Sequence, residues 1–270
     1  MVLDGHLRSL VERWALAPDG EPIVTRSSRL LPVLQGGRPA MLKVATEPEE
    51  KWGAGLMVWW DGIGAARVLA HEGDAILIER ATGSRSLADM ARHGEDDRAS
   101  RIICETVARL HAPRQAPPPD LVPLSVRFRA LLSTGAGGMF ARCADAARLL
   151  LAEPRDVVPL HGDVHHGNIL DFGDRGWLAI DPKRLEGERG FDHANLFCNP
   201  DHAIALTPGR LARQADVVAR AAHLERRRLL HWILAWAGLS AVWLIEDGAT
   251  EHVAPTLRIA EIAAAEIARS

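Results

Sequence analysis

The stretch LHGDVHHGNIL, residues 160–170, constrains this chain more than any other part of it. It packs three histidines, an aspartate and an asparagine into eleven residues. A few residues on, GWLAIDPKR at 176–184 supplies an apolar strand that ends on Asp181. Loop, short connection, strand and aspartate form one coherent unit, and any fold proposed for the chain has to keep it together.

Three chemistries compete for this unit. His161, Asp163, His165 and His166 are all metal-ligand types, and a binuclear hydrolase could use such a cluster. Imidazole ligands need fixed directions, however, and one short run cannot wrap an ion without distant ligands. His193 and His202 are candidates that nothing in the sequence positions. A polar turn is the second reading, with Asn168 merely stabilising its own loop. The third is phosphoryl transfer, which needs a carboxylate to orient and deprotonate an attacking hydroxyl and oxygen ligands for magnesium on a stiff loop nearby. HGDVHHGN separates Asp163 from Asn168 by four residues, the spacing of the H-R-D-x-x-x-x-N loop. Asp181 stands where a carboxylate magnesium ligand belongs. A polar turn explains Asp163 alone better than it explains Asp163, Asn168 and Asp181 together.

The flanking sequence predicts a frame of two lobes. Leu3, Leu7, Leu10, Val11 and Trp14 recur at helical spacing. RLLPVLQGGRPAMLKVA reads as strand, Gly-Gly turn, strand, ending near Lys43. Pro48 opens a helix, and ARVLAHEGDAILIERA is a second hairpin turning at HEGD. After Glu79 the texture becomes helical: GEDDRASRIICETVARLH, then a Pro-rich linker, then helical pattern from about Ser125 to Leu151, and mostly helix again beyond Phe191. A small sheet with one helix and a leading helix (residues 1–80), followed by a larger, mainly helical part (81–270), predicts an α+β fold with a cleft between the lobes. With 270 residues the chain is long enough for this, and a net charge of -3 argues against a nucleic-acid surface. Three scattered cysteines provide no disulfide or zinc framework. The first residues form no secretory signal, and no stretch is expected to reach membrane-spanning length. A cytoplasmic protein without membrane or nucleic-acid partners is the expectation.

LHGDVHHGNIL, GWLAIDPKRLEGERGFDHANLF and the upstream AMLKVA resemble the aminoglycoside phosphotransferase family of the protein-kinase-like superfamily, in particular its streptomycin 6-kinase and hydroxyurea phosphotransferase branch. The similarity runs from about residue 20 to the C-terminus. It implies a protein-kinase-like two-lobe fold and ATP-dependent phosphorylation of a small-molecule hydroxyl, with magnesium as cofactor. It also implies roles. Asp163 would be the catalytic base, and Asn168 and Asp181 would hold magnesium. Lys43 would contact the α- and β-phosphates, with Glu50 pairing with it and Glu49 as rival partner. IERA, with Glu79 and Ala81, would be the interlobe hinge that binds adenine. Lys183, in Asp-Pro-Lys, would neutralise charge on the transferred group, or else pair with Glu186 or Glu188 at the surface. No G-x-G-x-x-G precedes Lys43. TRSSRLLPV stands in its place, with Ser27 and Ser28 offering hydroxyls and N–H groups. DGIGAA is a connection, not a dinucleotide fingerprint. Asp192 is expected to brace the catalytic loop.

For the acceptor, a cationic aminoglycoside calls for carboxylates, and Glu186, Glu188, Asp201, Glu246 and Asp247 are candidates. Trp232, Trp236 and Trp243 share a helix face, where a helix–helix core competes with a sugar-stacking wall. A non-catalytic pseudokinase module is the rival reading, against which the intact set Lys43, Asp163, Asn168 and Asp181 speaks. The other rival is the His-centred metallohydrolase.

Overall fold

The computed structural model describes residues 4–46 and 48–269, and of residues 48–52 the backbone alone. Leu3, expected on the first helix, and the side chains of Glu49 and Glu50, the expected partners of Lys43, lie outside the described residues. The chain opens with α1 (Gly5–Arg13), whose first turn is capped by Asp4 accepting from the Leu7 N–H at 2.9 Å. A six-stranded antiparallel sheet follows: β1 (Leu16–Pro18), β2 (Ile23–Val24), β3 (Ser28–Gln35), β4 (Arg38–Ala45), β5 (Val68–Glu72) and β6 (Ala75–Glu79). Its order is β1-β3-β4-β6-β5, with β2 paired to β3. The β3–β4 hairpin closes through Gly36 and Gly37, at φ 56° and 79°, a conformation that glycine adopts without a Cβ clash.

Period-two alternation decides which face each strand residue serves. Leu31, Val33, Ala40, Leu42, Val44 and Leu77 pack with Leu7 and Leu10 of α1. Lys43 and its cross-strand neighbour Ile76 therefore turn to the opposite face. That face is covered by α2 (Pro48–Trp60), through Ala54, Met57 and Trp60, which belong to the same core as the helical half.

The helical half begins with α3 (Leu87–Arg92) and α4 (Asp96–His111). The Pro-rich linker has no regular structure through residue 120. β7 (Val122–Pro123), α5 (Leu124–Arg127), α6 (Arg129–Ser133) and α7 (Met139–Ala152) come next. The helical pattern read from 125 to 151 is thus broken at residues 134–138, where Gly135 and Gly138 take φ 59° and 66°. β8 (Val157–Leu160), β9 (Ile169–Asp171), β10 (Trp177–Ala179) and β11 (Leu185–Glu188) carry the histidine-rich loop at residues 161–168 and the segment around Asp181. A 3-10 helix, Arg189–Cys198, leads to α8 (His202–Ala205), α9 (Arg210–Ala221), α10 (Arg226–Glu246) and α11 (Val253–Arg269).

One expectation is corrected here. α10 is long and apolar enough to cross a membrane by length and composition. The fold accounts for its apolar run differently: Leu229, Leu230, Trp232, Ile233 and Trp236 are buried inside the helical half, against α7, α11 and the 3-10 helix. At Gly238 the approach to α7 is so close that a Cβ would lie 2.3 Å from that of Cys143.

Candidate active site

The β9–β10 hairpin makes the geometry. Its register pairs Ile169 with Ala179, and the Ile180 N–H donates to the Asn168 carbonyl at 2.9 Å. This closing bond puts Asn168, just before β9, beside Asp181, just after β10. Asp181 holds φ 67°, a left-handed conformation that a non-glycine residue keeps only where its surroundings enforce it. From the sheet half, the Lys43 ammonium donates to the Asp181 carboxylate. Lys43 is 8% exposed, and the pair lines a small cleft with Gly53, Met57, Ile78 and Pro182. Helix α2 presses on the same loop, since a Cβ at Gly53 would lie 2.3 Å from the Pro182 carbonyl oxygen.

The loop at 161–168 is pinned from beneath. Asp192, 1% exposed, accepts from the His161 N–H at 2.9 Å, the Gly162 N–H at 2.7 Å and His111 Nε2 at 2.8 Å. Burial pushes its carboxyl pKa up, but the His111 hydrogen bond and charge, with help from His161 and the Gly162 N–H, hold it below the usual carboxylate range. The expected brace is in place. His161 Nε2–H donates to the Ile180 carbonyl at 2.7 Å, and its Nδ1 accepts from the Asp163 N–H at 3.2 Å. Both ring nitrogens are thereby used, and burial lowers the ring's pKa, keeping it neutral. His165 Nδ1 accepts from the Gly167 N–H, His166 points into the core and is buried, and His202 Nε2 lies 3.1 Å from Thr256 Oγ1. Among the described residues no three His, Cys, Asp or Glu side chains gather as a metal site. The histidine-centred reading fails because the rings are spent separately: those of His161 and His165 bond within the loop region, that of His166 is buried in the core, and that of His202 meets Thr256.

Asp163 itself stays partly exposed, its side chain at 28%. Asn168 Nδ2 donates to the Asp163 carbonyl at 2.9 Å and reaches its Oδ2 at 3.3 Å. That leaves Asn168 Oδ1 as the atom for a cation. A carbonyl oxygen and the Asp181 carboxylate are hard oxygen donors, the kind magnesium takes in ones and twos alongside phosphates. Asn195, to which the sequence reading assigned nothing, donates from Nδ2 to Asp163 Oδ1 at 3.0 Å.

The remaining candidates separate. Ser28 is buried, and its hydroxyl lies 3.3 Å from that of Thr25 within the turn. Ser27 is half-buried, with its carbonyl accepting from the Thr46 N–H. The Glu79 side chain accepts from the Arg67 N–H at 2.6 Å and pairs with Arg175, while Ala81 packs against the larger core. Just beyond it, Arg85 grips Asp171 of β9 with two bonds of 2.7 and 2.9 Å. The Lys183 N–H donates to the His161 carbonyl at 2.7 Å, and its side chain lines a cavity with Arg127, Leu185 and Trp243. Glu188 is withdrawn as an acceptor ligand and as a partner for Lys183: it is buried on Arg228 and the Trp232 indole. Asp201 caps α8 and pairs with Arg92. Asp247 pairs with Arg26 of the β2–β3 turn at 2.6 Å. Glu186 is half-buried and Glu246 exposed. Trp232 and Trp236 are core residues, and Trp243 is half-buried beneath the Arg127 guanidinium.

Comparison with known proteins places this geometry. A family model described as aminoglycoside/hydroxyurea antibiotic resistance kinase matches residues 13–248. A streptomycin 3''-kinase of Klebsiella pneumoniae is 55% identical over 244 residues, covering 88% of this chain and 92% of the relative. A streptomycin 6-kinase of Streptomyces griseus is 33% identical over 270 residues, covering 93% and 86%. Among solved structures, an aminoglycoside phosphotransferase in ternary complex with ADP and hygromycin B superposes with a TM-score of 0.70 at 15% identity, over 95% of this chain and 96% of that one. That likeness establishes the protein-kinase-like fold.

Proposed function

Because this chain belongs to the aminoglycoside/hydroxyurea antibiotic resistance kinase family, we propose that it moves the γ-phosphoryl group of ATP to a hydroxyl of streptomycin, the 3'' hydroxyl in the first instance. The chain is an ATP-dependent phosphotransferase of the antibiotic-kinase class, with a nucleotide and a small-molecule acceptor as partners. The 3'' position follows the 55% identical relative. Position 6 and hydroxyurea are the alternatives carried by the rest of the family. The cytoplasm, which holds ATP, is where the chain would work.

The reading rests on one observation: a buried lysine of the sheet half meets Asp181, and Asp181 lies across the hairpin base from the loop that carries Asp163 and Asn168. In the proposed mechanism Asp163 accepts the acceptor's hydroxyl proton as the oxygen attacks the γ-phosphorus, the bond from that phosphorus to the β–γ bridging oxygen breaks, and ADP leaves. Lys43 would hold the α- and β-phosphates, and Lys183, whose N–H is bonded to the His161 carbonyl beside the loop, would neutralise charge on the transferred group. Asn168 and Asp181 are the residues that would hold magnesium, whose contribution when bound is to offset phosphate charge. Ser27 lends backbone and hydroxyl to the phosphates, and the backbone of Glu79 and Ala81 meets the adenine. A division into lobes at residue 80 follows from these roles. Little covalent work is asked of the protein, because positioning and charge neutralisation lower most of the barrier.

The test is product mass and phosphorus NMR after incubation with magnesium–ATP and streptomycin, with hydroxyurea as a parallel acceptor. A phosphate ester at the 3'' position is expected. An ester at position 6 would correct the regiochemistry, and no adduct with either compound would remove the acceptor assignment. Asp163→Ala should cut kcat by about a hundred- to ten-thousand-fold while ATP still binds.

A further inference from the structure

The carboxylate of Asp163 is oriented from the core, by a chain of donors that starts on α10. Trp236, 4% exposed, is wedged between Phe191 and Trp243, with ring centroids 5.0 and 5.8 Å away. Its Nε1–H donates to Asn195 Oδ1 at 3.1 Å, and Asn199 Nδ2 donates to the same oxygen at 2.9 Å. An indole nitrogen can only donate, so the Asn195 atom facing it has to be the oxygen. The amide cannot flip without opposing two donors. Its NH2 group is therefore committed to Asp163 Oδ1, at 3.0 Å.

Helix geometry explains how one segment serves the loop twice. The 3-10 helix has three residues per turn, so side chains at i and i+3 stand on the same side. Asp192 and Asn195 are such a pair. The first fixes the loop's backbone through the N–H groups of His161 and Gly162. The second fixes the side chain of the residue that follows. With Oδ1 held by Asn195, Oδ2 is the oxygen left for a substrate proton. Around it stand Asn168 Nδ2 at 3.3 Å and His165 Nε2 at 3.9 Å.

We propose that Asn195, oriented by Trp236, is a positioning residue for phosphoryl transfer, holding one oxygen of Asp163 so that the other faces the acceptor hydroxyl. The inference rests on Asp163 being the base. It adds that the base's aim, and not only its presence, is set by the aromatic core of α10. An angular error in a reacting group costs rate without weakening substrate binding, and a misplacement of about 1 Å can cost about a hundredfold.

The decisive variant is Asn195→Asp. It keeps an acceptor for Trp236 and Asn199 at constant size, and replaces the donor that faces Asp163 with a carboxylate whose charge also repels that of Asp163; Asn195→Ala, which removes the donor without adding charge, separates the two effects. Single-turnover transfer from ATP to streptomycin, measured by rapid quench, should fall about a hundredfold. KM for ATP and for streptomycin should hold; the buried extra charge lowers the melting temperature, so rates are taken on the folded fraction. Asn195→Ala should fall in the same direction, and Trp236→Phe, which keeps the ring and loses the donor, by less. Parental single-turnover rates in folded Asn195→Asp and Asn195→Ala would overturn the proposal. So would rate losses that merely track a loss of folded protein or a rise in both KM values. If Asn195→Asp does not fold, Trp236→Phe decides, and a parental rate there overturns the orienting role. Asp163→Asn, run beside them, keeps the two readings apart. A parental rate in that variant removes the base itself, whereas a dead Asp163→Asn with an active Asn195→Asp removes only the role of Asn195.

Discussion

The turn at residues 25–28 and the loop at residues 161–168 carry the polar groups assigned to phosphate and acceptor, one from each half of the molecule, and they are held in different ways. The turn is bonded mainly to itself. Thr25 N–H donates to the Ser28 carbonyl at 2.9 Å, and Ser28 N–H to Thr25 Oγ1 at 3.0 Å. Beyond the sheet it reaches Asp247 through the exposed Arg26 side chain. The loop is bonded to everything around it: Asp192 and His111 beneath, the Ile180 carbonyl and Lys183 N–H at its side, Asn195 at its tip. Segments with few buried contacts open at low cost, whereas segments tied into the core open only with it. The comparison teaches that Asp163, the proposed proton acceptor, sits on the rigid side of the cleft, and the turn proposed to cover the phosphates on the side free to adjust.

Asp192→Ala attacks the rigid side, and the largest effect is expected there. Removing one member of a buried charged network leaves the others without partners, at a cost of about 3–5 kcal/mol. Two loop N–H groups and the His111 ring would be stranded, so activity should disappear with the stability. Urea unfolding at neutral pH, with turnover measured on the folded fraction, checks both. The pH dependence has a definite sign. A carboxyl held below its unfolded pKa stabilises the fold above that value, and the stabilisation is lost as pH falls through the lower, folded one.

A second strain on the rigid side comes from histidines that the core keeps neutral. Burial pushes the His166 and His193 rings down to a pKa of about 4, from the usual 6.5. Unfolded chains take up protons in that interval and the native state does not. Stability should therefore fall as pH drops from about 6.5 to about 4, by up to roughly 3 kcal/mol for each ring. His166→Leu removes one of the two rings and should flatten the dependence by that order. Chemical unfolding at pH 7 and pH 4.5 measures it, and an unchanged slope would mean that His166 is hydrated in the native loop.

What could be read in advance follows the same division between local and distant contacts. The Gly36-Gly37 turn, the strand that ends near Lys43 and the apolar strand that ends on Asp181 are set by neighbours in sequence, and each was legible; the hairpin that joins Asn168 to Asp181 was not, because its first strand, Ile169–Asp171, is only three residues long. Asp192 was legible as a brace because it heads a helical segment. Asn195 was not, although it stood in the same quoted FDHANLF. Its meaning depends on a 3-10 rather than an α turn, and on a partner 32 residues back. Trp236 was recognised as core, but its indole N–H gains its role only when α10 packs against the 3-10 helix. The apolar run of α10 looked unremarkable in composition, and its length emerged only once the helix was seen whole. Acidic residues misled most as acceptor candidates, since Glu188 and Asp201 are spent on arginines that no local pattern pairs with them.

The smallest effect is expected on the adjustable side, from Arg26→Ala. The Arg26 side chain is 77% exposed and that of Asp247 41%. Pairs this open gain little, because water screens them and two side chains must be immobilised to form them. The melting temperature should not move, and kcat should be parental. If the turn closes over the nucleotide, loss of the pair should appear only in KM for ATP, as a rise of no more than about fivefold. Salt supplies the internal control. At about 1 M the screening length shrinks to about 3 Å, so the parental KM should climb to meet that of the variant. A fall in kcat on the scale of Asp163→Ala would break the comparison, because the covering turn would then belong to the same rigid machinery as the loop it faces.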